Sequence, residues 1–238
     1  LIETNLIPAG GETVSIPVNA GWNLLGNGGD QTILVNAQNF PPSQFATLWK
    51  WDAVAMKWQF YAPAMSAEAL QAFVLTKGFA PLTTIEQGAG FWANALAPTS
   101  LLVPVNTPIS ANWLANQFAE GIFPAGWNLL CLGQPVTPTQ FFDAFKVSVA
   151  TDPPGLGSGG DDPLSPLGNS SLWVWDNLTS RWRFFSPLMA EDGSLAAYVA
   201  SKGFEDFTIT TTDPLTGLAA TEMVKLTNGT GFWLWLNQ

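Results

Sequence analysis

Leu48-Trp49-Lys50-Trp51-Asp52, followed by Trp58-Gln59-Phe60-Tyr61-Ala62-Pro63, is the stretch on which the fold turns. Trp49 and Trp51 share one face at a period of two, and Trp58 and Phe60 repeat that spacing beyond a connection running from Asp52 to Lys57. The pattern predicts a β-hairpin with four aromatics on one face, each cross-strand pair contributing about 0.2–1 kcal/mol. Lys50, Lys57 and Gln59 are expected on the opposite, wetter face. Asp52 opens the turn, where its carboxylate can accept from backbone amides ahead of it.

The same stretch returns as Leu172-Trp173-Val174-Trp175-Asp176 and Trp182-Arg183-Phe184-Phe185-Ser186-Pro187, with a connection of identical length. Working outward, Gly21-Trp22-Asn23-Leu24-Leu25 recurs as Gly126-Trp127-Asn128-Leu129-Leu130. Lys77-Gly78-Phe79 recurs as Lys202-Gly203-Phe204, and Gly90-Phe91-Trp92 as Gly231-Phe232-Trp233. Five anchors in one order mark a duplicated unit. Copy two is longer in two places: Trp22 to Trp49 spans 27 positions against 46 for Trp127 to Trp173, and Gly78 to Gly90 spans 12 against 28 for Gly203 to Gly231.

Short apolar runs punctuated by 22 Gly and 18 Pro read as strands and turns. Val14, Ile16 and Val18 alternate ahead of Gly21, and Leu101, Val103 and Val105 alternate between the copies. Leu70, Phe73 and Val74, with Leu195, Tyr198 and Val199, fit helical spacing, but the segments are short enough to be read as either helix or strand. The expected fold is all-β: two tandem homologous β-sandwich or barrel-like modules with minor helix. The expected boundaries are an N-terminal arm at 1–13, a first module at 14–98, a connecting segment with a strand at 99–125, and a second module at 126–238.

Hydrophobic residues make up 47% of the 238 and charged residues only 11%, which excludes a disordered chain. A net charge of −10 argues against nucleic acid and anionic membrane surfaces as partners. No apolar run is long enough for a membrane-spanning helix. The chain has no histidine, so the commonest general base and metal ligand are missing together. Cys131 is the only cysteine and reads as a buried apolar thiol, with intermolecular pairing or reactivity as the alternative.

Candidate sites are few. Most of the 12 tryptophans hold matching places in both copies and follow strand alternation, so the duplicated set reads as core, with a sugar-stacking platform as the alternative. Trp113 and Trp235 have no twin and are the ligand-binding candidates. Asp152, Asp161 and Asp162 lie on a Gly/Pro-rich loop whose oxygens suit a structural calcium ion, with a solvated loop as the default. Ile2, Thr4 and Leu6 alternate in a strand-like arm outside the repeat. That arm is expected either to complete its own domain or to add a strand to a neighbouring copy. No paired carboxylates, serine elbow, zinc spacing or phosphate loop is present, so no enzyme is expected and no cofactor beyond that calcium.

The order Gly-Trp-Asn-Leu, Trp-x-Trp-Asp, Trp-x-Phe-aromatic-x-Pro, Gly-x-Gly-Phe-Trp resembles tandem tryptophan-rich β modules of secreted and cell-surface bacterial and archaeal proteins, with Phe91 and Phe232 where those modules usually show tyrosine. The resemblance implies a secreted, extracellular or cell-surface location. Two functions are expected from all this. The first is a structural subunit of a surface fibre, sheath or layer, a homopolymer assembling through strand edges and the arm. The alternative is a non-catalytic carbohydrate-binding module whose partner is a surface polysaccharide.

Overall fold

The structure, a computed structural model, describes residues 12–150, 170–212, 216 and 218–236. The first copy contains β1 (Glu12–Val18), β2 (Gly21–Gly26), β3 (Ile33–Leu34), β4 (Phe45–Asp52), β5 (Lys57–Tyr61), α1 (Ala67–Lys77), β6 (Ala80–Pro81), β7 (Thr84–Ile85) and β8 (Gly90–Ala95). Between the copies run β9 (Thr99–Val105) and α2 (Ala111–Ala119). The second copy contains β10 (Gly126–Cys131), α3 (Pro138–Ala150), β11 (Ser171–Asp176), β12 (Arg181–Phe185), α4 (Pro187–Glu191), α5 (Leu195–Lys202), β13 (Thr208–Thr212), β14 (Ala219–Met223) and β15 (Gly231–Leu236).

Two sheets organise the molecule, β2-β8-β4-β5-β6 and β10-β15-β11-β12. Their registers correspond residue for residue. Leu24 faces Trp92 as Leu129 faces Trp233, and Trp49 sits between Trp92 and Phe60 as Trp173 sits between Trp233 and Phe184. Even the parallel addition beyond the hairpin recurs, with Gln59 bridged to Ala80 and Arg183 to Glu205. Strands hold 43% of the structure against 21% for helices, so it is strand-dominated, and its several sheets form no closed barrel among the described residues. The barrel-like alternative is thereby corrected.

Each sheet has one face in a core. In the first copy, Leu25, Phe91, Ala93 and Leu48 pack against Ile16 and Val18 of β1, Leu101 and Val103 of β9, and Phe40. β9 pairs antiparallel along the whole of β1, which fixes the segment between the copies onto the first sheet. In the second copy, Leu130, Phe232, Leu234 and Leu172 pack instead against Leu114 of α2 and Phe141, Phe142 and Phe145 of α3. Sheet covers sheet in one copy and helices cover sheet in the other. The second insertion forms β13 and β14, a ribbon exposed along its length.

The short helical segments form where their spacing places them. Ser66 Oγ accepts from Ala69 N at the start of α1. Gly78 ends the helix at φ 73°, a left-handed conformation that glycine adopts without a Cβ penalty, while Phe79 N donates to Val74 O. Gly203 and Phe204 repeat this at the end of α5. Both hairpin turns also agree: Asp52 Oδ1 accepts from Ala55 N, and Asp176 Oδ1 from Leu178 N and Thr179 N.

Lys50 departs from expectation. It is buried at 7% exposure, because Glu86, 36 positions later, comes alongside and forms an ion pair with it. Burial pulls the Glu86 pKa up, but hydrogen bonds from Lys50 and Thr84 and the Lys50 charge outweigh that and hold it below the ordinary value.

The two copies meet reciprocally. Leu25 bridges Thr230 while its counterpart Leu130 bridges Ala89, and Gly26 N donates to Gly229 O while Cys131 N donates to Gly88 O. Such exchange of equivalent contacts is the signature of an isologous, two-fold-like interface. Glycine is required where the backbones come closest. A Cβ on Gly231 would lie 2.3 Å from Leu25 O, one on Gly90 would lie 2.7 Å from Leu130 O, and one on Gly26 would lie 2.2 Å from Cys131 Cβ. Cys131 is fully buried at that seam, and burial pushes its thiol pKa up to about 12.

Candidate functional site: two tryptophan-lined clefts

The second face of each sheet carries the tryptophans. Because side chains alternate across a strand, Trp22 and Leu24 of β2, Trp92 of β8, Trp49 and Trp51 of β4, and Trp58 of β5 all point away from the first core. Trp127, Trp233, Trp235, Trp173, Trp175 and Trp182 do the same in the second copy. No tryptophan is among the buried core residues, and Trp22 and Trp127 are 46% and 42% exposed. The duplicated set is therefore not a fully buried core: most of its members are half-buried, and Trp49 packs against the small cluster of Phe60, Ala62 and Val74. Alternation establishes which residues share a face; it does not say which face is inside.

The two aromatic faces look at each other. Trp233 meets Trp51 and Trp58 at ring-centroid distances of 6.5 and 5.8 Å, and its counterpart Trp92 meets Trp175 and Trp182 at 6.1 and 5.8 Å. Most are edge-to-face or tilted contacts, which suit aromatic quadrupoles. The crossing leaves two open clefts. The first, about 460 Å³, is walled by Trp51 and Trp58 of one copy and Trp127, Trp173, Trp182 and Trp233 of the other. The second, about 590 Å³, is walled by Trp22, Trp49, Trp58, Phe79 and Trp92 of one copy and Trp175 and Trp182 of the other. Each cleft thus takes hairpin indoles from one copy and sheet-centre indoles from its twin, and Trp58 and Trp182 wall both.

Hydrogen bonding divides the indoles. Trp49 Nε1 donates to Thr47 Oγ1 and Trp173 Nε1 to Ser171 Oγ, at matched positions. Trp51 Nε1 donates across the interface to Trp127 O at 3.0 Å, whereas its counterpart Trp175 Nε1 is buried without an acceptor among the described residues. The N–H groups of Trp22, Trp58, Trp92, Trp127, Trp182 and Trp233 meet no acceptor among the described residues. The clefts therefore offer apolar ring faces edged with hydrogen-bond donors, and among the described residues neither is lined by a carboxylate, hydroxyl or cysteine.

The residues singled out from sequence fall elsewhere or only at the margin. Trp235 stands opposite Trp127 and meets it edge-to-face at 5.3 Å, next to the first cleft but not in its wall; Asn94 takes the matching place against Trp22. Trp113 lies on α2 beneath Gly88, against Phe123, and walls a separate recess. Ile2, Thr4 and Leu6, and Asp152, Asp161 and Asp162, lie outside the described residues. Among the described residues no group of three potential ligands could hold a metal ion, and no helix is long and apolar enough to cross a membrane. The missed signal was the confinement of the strand tryptophans to one face: close-packed interiors favour aliphatic side chains and Phe, as the opposite faces show.

No protein-family model matches the chain, and no curated protein or solved structure is significantly similar to it.

Proposed function

We propose that the chain is a non-catalytic carbohydrate-binding protein of two tandem homologous modules, which holds sugar rings between their facing tryptophan faces. One observation carries this reading: ten of the twelve tryptophans, five from each copy, wall two open clefts rather than a core. Apolar surface left in water costs about 25 cal/mol per Å², so an open indole trough is a feature that needs a function. Clefts of about 460 and 590 Å³ fall within the range of roughly 300–1,000 Å³ of small-ligand sites. A pyranose presents an apolar C–H face and a rim of hydroxyls, which complements an indole face with a free N–H at its edge. The absence of acid or nucleophile from the cleft walls favours binding over hydrolysis. A polysaccharide at a cell surface is the natural source of such rings. Self-assembly through Ile2, Thr4 and Leu6 has no support from the described residues.

Titration with cello-, xylo-, chito- and manno-oligosaccharides, followed by tryptophan fluorescence and calorimetry, tests the reading. Trp22→Ala and Trp127→Ala, the most exposed indole of each cleft, should each weaken binding about tenfold with the far-UV spectrum unchanged. Silence across the whole series, or variants that bind like the wild type, would remove the proposal.

A further inference from the structure

Asn23 and Asn128 are equivalent and both buried, yet only one is satisfied. Asn23 Nδ2 donates to Asn19 O and Gly21 O, and its Oδ1 accepts from Asn19 N at 3.0 Å and from Asn177 Nδ2 at 2.6 Å. Asn177 sits at the tip of the second copy's hairpin, so this contact crosses the interface. Asn128 Nδ2 likewise donates to Pro124 O and Gly126 O, but its Oδ1, in a side chain only 1% exposed, has no partner among the described residues. The sequence explains both losses. Pro124 stands where Asn19 does and has no N–H, and Ala53 stands where Asn177 does and has no amide.

Ala53 and Asn128 both line a recess of about 390 Å³, together with Trp51, Trp113, Gln117 and Glu86. Trp51 also walls the first cleft, so the recess and the cleft adjoin at that one indole. A buried carbonyl without a donor is rare in folded proteins and costs about as much as a lost hydrogen bond. What fits it is an O–H or N–H donor, and the ionised Glu86 carboxylate adds a second acceptor.

We propose that this recess is a polar subsite that receives a hydroxyl or ammonium group at the end of a sugar chain whose rings lie in the first cleft. The proposal rests on the carbohydrate reading and goes further: it makes the two clefts unequal. The first ends in an open acceptor, whereas Asn177 closes the matching amide beside the second.

Ala53→Asn tests this by rebuilding the Asn177 contact in the other copy. Glucose and glucosamine are titrated into wild type, Ala53→Asn and Trp127→Ala, with the Trp113 indole and Asn128 side-chain amide followed by NMR. In the wild type both signals should shift, and Ala53→Asn should weaken monosaccharide binding at least tenfold while remaining folded. Tighter binding of glucosamine assigns the donor as ammonium; equal binding assigns it as hydroxyl. Unshifted Trp113 and Asn128 signals overturn the subsite. So does a higher melting temperature for Ala53→Asn with sugar binding unchanged, the mark of a recess holding only water. Oligosaccharide binding that Trp127→Ala weakens and Ala53→Asn leaves intact would sink the subsite alone; no sugar binding by any form would sink the cleft reading itself.

Discussion

Asn23 and Asn128 occupy one place on one kind of strand, and the strands share one register with their neighbours. Their carbonyls nevertheless have two donors and none. The hairpins behave alike: Gln59 Nε2 reaches Asp52 Oδ2 at 3.2 Å, whereas the equivalent Arg183 binds both Asp176 and Glu205, at 2.9 and 2.6 Å. Gly26 and Cys131 are a third such pair, one without a side chain and the other filling the seam. Within each copy the frame is kept. Two of these three differences fall where the copies touch, so a residue in one copy decides what its twin's neighbour can do.

The seam offers the largest test. Gly26→Ala places a methyl into Cys131 and should cost about 1–3 kcal/mol by urea unfolding, and adding Cys131→Gly should restore most of it. A neutral Gly26→Ala would show that the copies do not meet this closely. Next, Asn23→Ala should destabilise by about 1–2 kcal/mol more than Asn128→Ala, the net worth of its two extra hydrogen bonds. Equal losses would mean that the two amides are not different after all.

Arg183→Gln, which gives the second hairpin the first one's residue, is the smallest change, about 1 kcal/mol at neutral pH for a partly exposed ion pair. Burial tends to raise the Asp176 pKa, but the Arg183 hydrogen bond, the amides of Thr179 and Leu178 and the Arg183 charge together hold it below 3.8. A depressed carboxylate pKa stabilises the fold above the unfolded value and loses that stabilisation as pH falls through the folded one. The wild type should therefore lose stability below about pH 4, and Arg183→Gln should lose less there. Parallel acid-unfolding curves would break the assignment.

Much of the frame can be read from the chain. The tryptophan spacing places the hairpins, Asp52 and Asp176 their turns, and Lys77-Gly78-Phe79 a turn, because each depends on residues a few positions apart. What could not be read is long-range. Lys50 looks wet until Glu86 arrives from another strand. Trp22 and Trp92 look buried because alternation cannot tell a core from a trough. The helices α2 and α3, which cover the second sheet where strands cover the first, lie in segments that have no counterpart to compare. The unsatisfied Asn128 is visible in sequence only once Ala53 and Asn177 are known to be equivalent and to cross over.

The close approach of Gly26 to Cys131 sets equivalent positions side by side, so the pseudo-dyad passes between them. Glycine at both positions would leave a void there, and cysteine at both would press thiol against thiol. Covalent fusion of unlike halves lets a single sulfur fill a gap that symmetry would have left empty or overfilled.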